Sequence, residues 1–306
     1  MVIVVAGEAL IDLVPADDGT LLPHAGGGPF TTARALGRLG CPVAYLGRVS
    51  TDRFGARLAG LLAEDGVRLD AHVRTDDPTT LALVELDDRG AAAYRFYTDG
   101  TSSAGLTTEA ALTALPPDVA YLHVGTLGLV LEPMADVLVG ALDTSGTSLA
   151  MVDLNIRRAA IEDAGVFRSR LDRVLAAADV IKASVEDLDF VFPGIEPTAA
   201  ATSLTSRHGA TVLVTDGARA VTIVSPGFVR EVGVPETVVV DSVGAGDAFG
   251  GAFLAWWIEH GLGRHELVDA DALAEATTRA IDVATLTIQR PGADPPRRSE
   301  AGWPPL

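Results

Sequence analysis

From residue 29 onward the chain alternates short apolar runs with stretches of helical periodicity, and few architectures accept that order. FTTARALGRLG reads as a helix, PVAYLGRV as a strand, and FGARLAGLLAEDGV as a helix with apolar residues three and four apart. The same reading predicts helix 107–114, strand 119–124, helix 132–143, strand 148–153, strand 179–182, helix 185–192 and strand 211–215. Further β-like runs reach Val240, and helices follow over about 246–260 and 270–287. Strands separated by helices connect by crossovers, so the sheet is expected to be mainly parallel and covered on both faces. Residues 80–97, TLALVELDDRGAAAYRFY, depart from this order: two β-like runs flank DDRG, a hairpin signal. A hairpin set into such a unit reads as a flap. The expected fold is therefore α/β, one domain over residues 1–306, with a small β lid drawn from about 9–24 and 72–98.

Composition narrows the function. Of 306 residues 48% are apolar, enough for a sizeable core, while 41 acidic against 23 basic side chains leave a net charge of −18. A basic stripe for nucleic acid is not expected on such a chain. Cys41 has no second cysteine to pair with, which excludes an internal disulfide and fits a reducing, cytoplasmic setting. MVIVVAGEALIDL lacks a basic leader and reads as a first strand, and the apolar runs end well short of the ~18 residues of a membrane span. The basic residues are arginines except for Lys182, so no P-loop exists. The ending PGADPPRRSEAGWPPL, with five prolines, reads as irregular surface chain.

The densest chemistry lies in DSVGAGDAFGGAFLAWW, residues 241–257. Val238–Val240 read as a buried strand end, and Phe249, Phe253 and Trp257 recur at i, i+4 and i+8 of a helix, so Gly244, Ala245 and Gly246 occupy a strand-to-helix turn. A helix amino terminus offers free N–H groups and partial positive charge to an anion, and small residues let a phosphate approach them. Asp247 then has two readings: a carboxylate favouring the helix dipole, or a base beside an anion hole, able to deprotonate a hydroxyl attacking a phosphoryl group. A dinucleotide fingerprint fails, because Phe249 stands where a small residue is needed and the motif comes late in the chain.

DSVGAGDAFGGAF resembles the D-T-x-G-A-G-D-x-F signature of the ribokinase-like (PfkB) carbohydrate kinases, with Ser242 in place of threonine. GGGPFTTARALGRLG at 26–40 resembles the family's other signature, and further matches run in order. They are GEALIDLV, LGRVSTDRFG, DLNIR, IKASVEDL, VTDG and RPGADPP. The resemblance implies a ribokinase-like three-layer fold and the fructokinase or 2-keto-3-deoxygluconate kinase branch. It implies ATP lying with its phosphates toward Gly244–Gly246, Asp247 as base, Mg²⁺ as cofactor, and room for a monovalent cation such as K⁺. With no P-loop lysine, Mg²⁺, the helix terminus and Arg157 of DLNIR are expected to neutralise the phosphates.

Other roles follow from the resemblance alone. The family's N-x-x-E motif, which assists Mg²⁺ through water, falls on Ser184 to Asp187, leaving Glu186 or Asp187 to serve. Ser184, Thr215, Gly217 and Asp241 are expected on the nucleotide side. Asp12, Gly26, Gly27, Thr31, Tyr94, Phe96 and Asn155 are expected on the sugar side, Thr31 standing where relatives carry asparagine. An acid-sugar kinase is expected to carry arginine after Tyr97; Thr98 stands there, and Arg95 alternates to the face of Tyr97 rather than Phe96. A small neutral sugar, fructose or a related ketose, is therefore favoured. A nucleoside kinase, a non-catalytic sugar sensor and the acid-sugar kinase are the alternatives, and a homodimer through the lid is the expected partnership.

Overall fold

The computed structural model describes residues 1–16, 18–86, 92–144 and 149–305. β1 (Val2–Ala6) is an unbroken buried apolar run, as a strand covered on both faces requires. β2 (Leu10–Pro15) and β3 (Leu21–Gly26) follow, then α1 (Gly28–Arg38), with Pro29 in its first turn where no N–H is missed. PVAYLGRV divides into β4 (Val43–Leu46) and β5 (Arg48–Ser50). Asp52 caps α2 (Arg53–Glu64) by accepting from Gly55 N–H at 2.7 Å. Next come β6 (Val73–Thr75), β7 (Leu81–Leu86), β8 (Ala92–Tyr97), α3 (Thr108–Ala114), β9 (Val119–Gly125), α4 (Met134–Thr144) and β10 (Leu149–Asp153). The chain continues through α5 (Ala164–Ala177), β11 (Val180–Ser184), α6 (Val185–Val191), α7 (Pro197–His208), β12 (Thr211–Thr215), β13 (Ala220–Ser225) and β14 (Phe228–Gly233), and closes with α8 (Ala245–Glu259) and α9 (Ala270–Ile288).

Eight strands form the main sheet in the order β14-β13-β12-β11-β10-β9-β1-β4. The pairings from β4 to β12 are parallel, and β13 and β14 add antiparallel strands at one edge. Alternate β1 residues serve opposite cores. Ile3 and Val5 join Phe30, Leu36, Leu58, Phe253 and Trp257 on one face, while Val2 and Val4 join Leu138, Phe167, Val174 and Leu204 on the other. This is the three-layer α/β arrangement expected from the alternation. From β1 the chain steps to β4 on one side and later returns through β9, β10, β11 and β12 on the other. Loops leaving the carboxyl ends of β1 and β9 therefore diverge, and the crevice between them is where open α/β sheets bind ligands.

β3, β2, β7 and β8 form a separate four-stranded sheet in that order, with β2 and β7 parallel and the outer pairs antiparallel. The DDRG turn, residues 87–90, lies outside the described residues. Residues 73–75 pair with β5 instead, so this sheet does not include the start of the 72–98 span.

Two expectations need correction. Val238–Val240 are not a buried strand end: β14 stops at Gly233, and the three valines lie in an exposed loop. The apolar run misled because no neighbouring strand takes its backbone; instead the Val240 N–H donates to Ile288 at the end of α9 (2.8 Å). The proline-rich ending is irregular but not loose. Asp294 pairs with Arg38 (2.7 Å) and Arg34 (3.4 Å) of α1, and Trp303 is buried with the Arg298 guanidinium 5.5 Å from its ring centre.

Candidate active site

A cavity of about 330 Å³ opens at the carboxyl ends of β1, β9, β10, β11 and β12. One wall is the start of α8. Gly244 holds φ +79° as the residue before the helix, a left-handed conformation natural to glycine, and no side chain caps the helix. Among the described residues no acceptor takes the N–H of Gly246 or Asp247. The glycines of this run also make space for neighbours. A Cβ on Gly244 would collide with Ala293, on Gly246 it would lie 2.9 Å from Lys182 Nζ, and on Gly251 it would lie 2.9 Å from Ala35 Cβ of α1. Four glycines in eight residues thus let α8 lie tightly on α1 and on the polar ends of the central strands.

Asp247, in the first turn of α8, is buried yet lines the cavity. Burial pushes its carboxyl up; the charges of Lys182 and then Arg157 pull it back. Lys182 is the group that the sequence reading missed. Ruling out a P-loop lysine said nothing about a lysine arriving from β11. Its ammonium contacts both oxygens of Asp153, at 2.9 and 2.8 Å, with both side chains buried. The signal was present: a single lysine in an arginine-rich chain, in a strand next to the DLNIR strand.

The first glycine motif meets the same cavity from α1. The Glu8 carboxylate accepts from Gly28 N–H (3.0 Å), Gly128 N–H (3.1 Å) and the Thr126 hydroxyl, tying β1, α1 and the turn after β9 together. Burial pushes Glu8 up to about 7 against those bonds. Glu8 is a second residue the sequence reading did not single out. Gly26 is vacant of side chain because Asp12 fills that space, and a Cβ on Gly28 would lie 3.0 Å from Asp247 Oδ1. Burial pushes Asp12 up to about 6, Arg157 lowers it and Asp247 raises it.

The remaining expected residues divide by position. Asp12, Gly26, Gly27, Thr31, Tyr94, Phe96, Asn155, Arg157, Ser184, Asp187, Thr215, Gly244, Gly246 and Asp247 all border the cavity. Tyr94 and Phe96 stack at 6.0 Å on the inner face of the small sheet, and the Arg157 guanidinium lies 5.7 Å from the Tyr94 ring centre. Arg95, on the outer face, pairs with Glu85 at 2.9 Å. Glu186 is exposed and outside the cavity wall, so of the two acidic candidates Asp187 is the one at the site. Asp187 is itself engaged, accepting from Ser184 N–H (2.9 Å), the Ser184 hydroxyl (2.9 Å) and Ile156 N–H (2.7 Å). Asp241 also stands behind the wall: it accepts from Val243 N–H (3.0 Å) and Gly292 N–H (2.8 Å), bracing the glycine turn against the chain's ending. Ala245 and the exposed turn residue Gly217 do not border the cavity. Thr31 is almost wholly buried, with its methyl facing Gly244.

Comparison with known proteins identifies the lineage. The model of the pfkB family of carbohydrate kinases matches residues 2–300. A fructokinase from Rhizobium leguminosarum bv. trifolii is 38% identical over 83% of this chain and 78% of its own. One from Klebsiella pneumoniae is 35% identical over 90% of both. The crystal structure of a fructokinase from Xylella fastidiosa with bound ATP superposes with a TM-score of 0.90 at 30% identity, covering 98% of this chain and 96% of that one. A match of this extent places the protein in the pfkB family of carbohydrate kinases, phosphotransferases that act on a sugar hydroxyl.

Proposed function

We propose that this protein is an ATP-dependent kinase of a small neutral sugar, fructose or a related ketose first, with Asp247 as the general base. The observation that carries the reading is the position of Asp247. It stands between a polar pocket lined by Asp12, Tyr94, Phe96 and Asn155 and the uncapped start of α8. Sugar hydroxyls suit the pocket, where Asp12 and Asn155 offer acceptors and the aromatic pair offers an apolar face. Fructokinases among the similar chains support the substrate class.

In this reading Asp247 takes the hydroxyl proton as the sugar oxygen bonds to the γ-phosphorus and the bond to the bridging oxygen breaks, releasing ADP. Gly246 and Asp247 N–H groups, the α8 dipole and Arg157 hold the phosphates. Mg²⁺ supplies charge neutralisation on the triphosphate when bound. The described residues contain no cluster of three His, Cys, Asp or Glu that could hold a metal by themselves, which fits a cation carried in by the nucleotide. Asp187 and Ser184 stand on the nucleotide side to receive its water shell, and Thr215 borders the same end.

The small sheet of β2, β3, β7 and β8 is proposed as the lid, excluding water from the transfer. Leu21, Leu22 and Tyr97 are exposed on its edge strands, a surface suited to a second copy; sedimentation of a Leu22→Glu variant against the parent tests that dimer. A second reading has one observation behind it: Arg157 faces the cavity and offers a partner to a sugar carboxylate. A panel of sugars, 2-keto-3-deoxygluconate and nucleosides with ATP, read by ADP release, decides. Fructose among the best acceptors supports the proposal. Turnover of the acid sugar or a nucleoside far above every neutral sugar overturns the substrate, and no ADP release with any acceptor overturns the kinase.

A further inference from the structure

Beneath the first turn of α8 lies an arrangement that phosphate binding by backbone N–H groups does not require. Lys182 on β11 and Asp153 on β10 are register partners in adjacent parallel strands, and their ion pair is buried. Gly246 lies directly over it: a Cβ there would be 2.9 Å from Nζ, so the missing side chain is what lets the helix turn sit on the ammonium. Replacing a buried ion pair by apolar residues is often neutral or stabilising, so such a pair calls for a reason other than stability. Its orientation supplies one. The ammonium end, not the carboxylate end, borders the cavity and faces the turn that carries Asp247.

We infer that Lys182 is a positioning residue for the phosphoryl transfer, a counter-charge locked by Asp153 under Gly246 that keeps the buried Asp247 in its carboxylate form. The inference rests on the reading of Asp247 as base. A base has to be unprotonated before the sugar arrives, and this one is enclosed by acid. Glu8, Asp12 and Asp153 each interact unfavourably with the Asp247 charge, and burial adds to them. Against these stand two cations, Lys182 and Arg157. Arg157 is only half-buried and sits toward the lid, where substrate can engage it, whereas Lys182 is buried and fixed by two bonds. Lys182 therefore acts on Asp247 whether or not substrate is bound.

The groups around this charge are few enough to separate. His123 of β9 is buried, its ring nitrogens without a hydrogen-bond partner among the described residues, and burial and Lys182 hold it neutral, down to about 3. Asp187 of α6 adds a weaker acidic influence on Lys182, and Asp153 provides the pairing. The shifts of Glu8 and Asp12 come from burial, hydrogen bonds, Arg157 and Asp247, so removing Lys182 leaves their main causes in place.

The test is the pH profile of kcat/KM for the sugar in the full-length protein, compared among the parent, Lys182→Met and the double variant Lys182→Met/Asp153→Asn. An opposite charge close by lowers a carboxyl by about 1–3 pH units, so the acidic limb of Lys182→Met is expected to move up by about one unit or more. At a pH below the limb that is a loss of roughly tenfold or more, recovered in large part by raising the pH. The double variant does not leave Asp153 as a buried carboxylate stripped of its partner, which guards against a folding failure of the single variant, and it is expected to shift the limb in the same direction by less. Asp247→Asn is run beside them. Acidic limbs unmoved in the folded variants overturn the role of Lys182 and leave the sugar kinase standing. An Asp247→Asn variant that retains most of its turnover overturns the base itself, and the inference with it.

Discussion

Two helices begin at the cavity on glycine-led turns, and they are prepared differently. At the start of α1 the protein has supplied its own anion: Gly28 N–H donates to the buried Glu8 carboxylate, which also takes Gly128 N–H and the Thr126 hydroxyl. At the start of α8 no side chain caps the helix, and the charge beneath it is the ammonium of Lys182. Glycine serves packing in both places, but toward opposite charges: Gly26 and Gly28 admit Asp12 and Asp247, while Gly246 admits Lys182. A filled helix terminus fixes geometry, whereas one left uncapped over a cation keeps N–H groups for an anion. In the proposed function the first wall shapes the sugar pocket and the second receives phosphate.

The largest expected effect tests the open terminus. Asp247→Asn keeps shape but cannot accept a proton, so kcat is expected to drop by at least about 10²–10⁴-fold. ATP affinity by calorimetry should change little, because in the proposed function backbone N–H groups hold the phosphates. If Asp247 merely favours the dipole, melting temperature would fall by the equivalent of about 1 kcal/mol or less with near-normal turnover.

The filled terminus has a pH signature. Glu8 sits at about 7 when folded against 4.5 ordinarily, so the folded chain retains a proton that the unfolded chain has released. The Glu8 contribution to stability is fullest below about 4.5 and declines as pH rises to about 7. The contribution is on the order of 3 kcal/mol across that window. Asp12 and Asp153, each about 6, add slopes of the same sign. Glu8→Gln should flatten the melting temperature between those limits. Parallel curves for the two chains would mean that Glu8 titrates alike folded and unfolded.

Substituting one glycine in each turn compares the two directly. Gly28→Ala presses a methyl into the buried Thr126 side chain and to 3.0 Å from Asp247 Oδ1, and should cost about 1–3 kcal/mol in chemical unfolding with a drop in kcat. Gly246→Ala meets the Lys182 side chain alone, Nζ at 2.9 Å, rather than a closer contact, and should cost less than Gly28→Ala, about 1 kcal/mol. A larger loss at Gly246 than at Gly28 would break the contrast.

Much of this was legible in the chain, for reasons that differ by scale. Helix periodicity over Phe249, Phe253 and Trp257 is a local property, and the three are buried as that spacing requires, Phe253 stacking on Trp257 at 5.6 Å. Val238–Val240 show where locality fails: an apolar run states that a strand is affordable, but a strand also needs a neighbour, and here β14 ends before it. Lys182 and Glu8 escaped because their partners lie 29 and up to 120 residues away. Lone charges read as incidental until parallel pairing sets Lys182 beside Asp153 and the turn after β1 sets Glu8 at the start of α1. Asp241 was expected on the nucleotide side but stands behind the cavity wall, and its bracing task was not legible, since the Gly292 N–H that it holds comes from an ending read as irregular surface chain.

The burial of the chain's one lysine gives the folded molecule an unusual surface, poor in primary amines. Among the described residues the α-amino group of Met1, beside Asp118 at 3.3 Å, is an exposed amine that acylating reagents can reach while Lys182 is buried. Acylation of Lys182 in addition requires reagent to reach an ammonium that is buried at the floor of the cavity, so the ratio of doubly to singly acylated chains reads how far that floor opens.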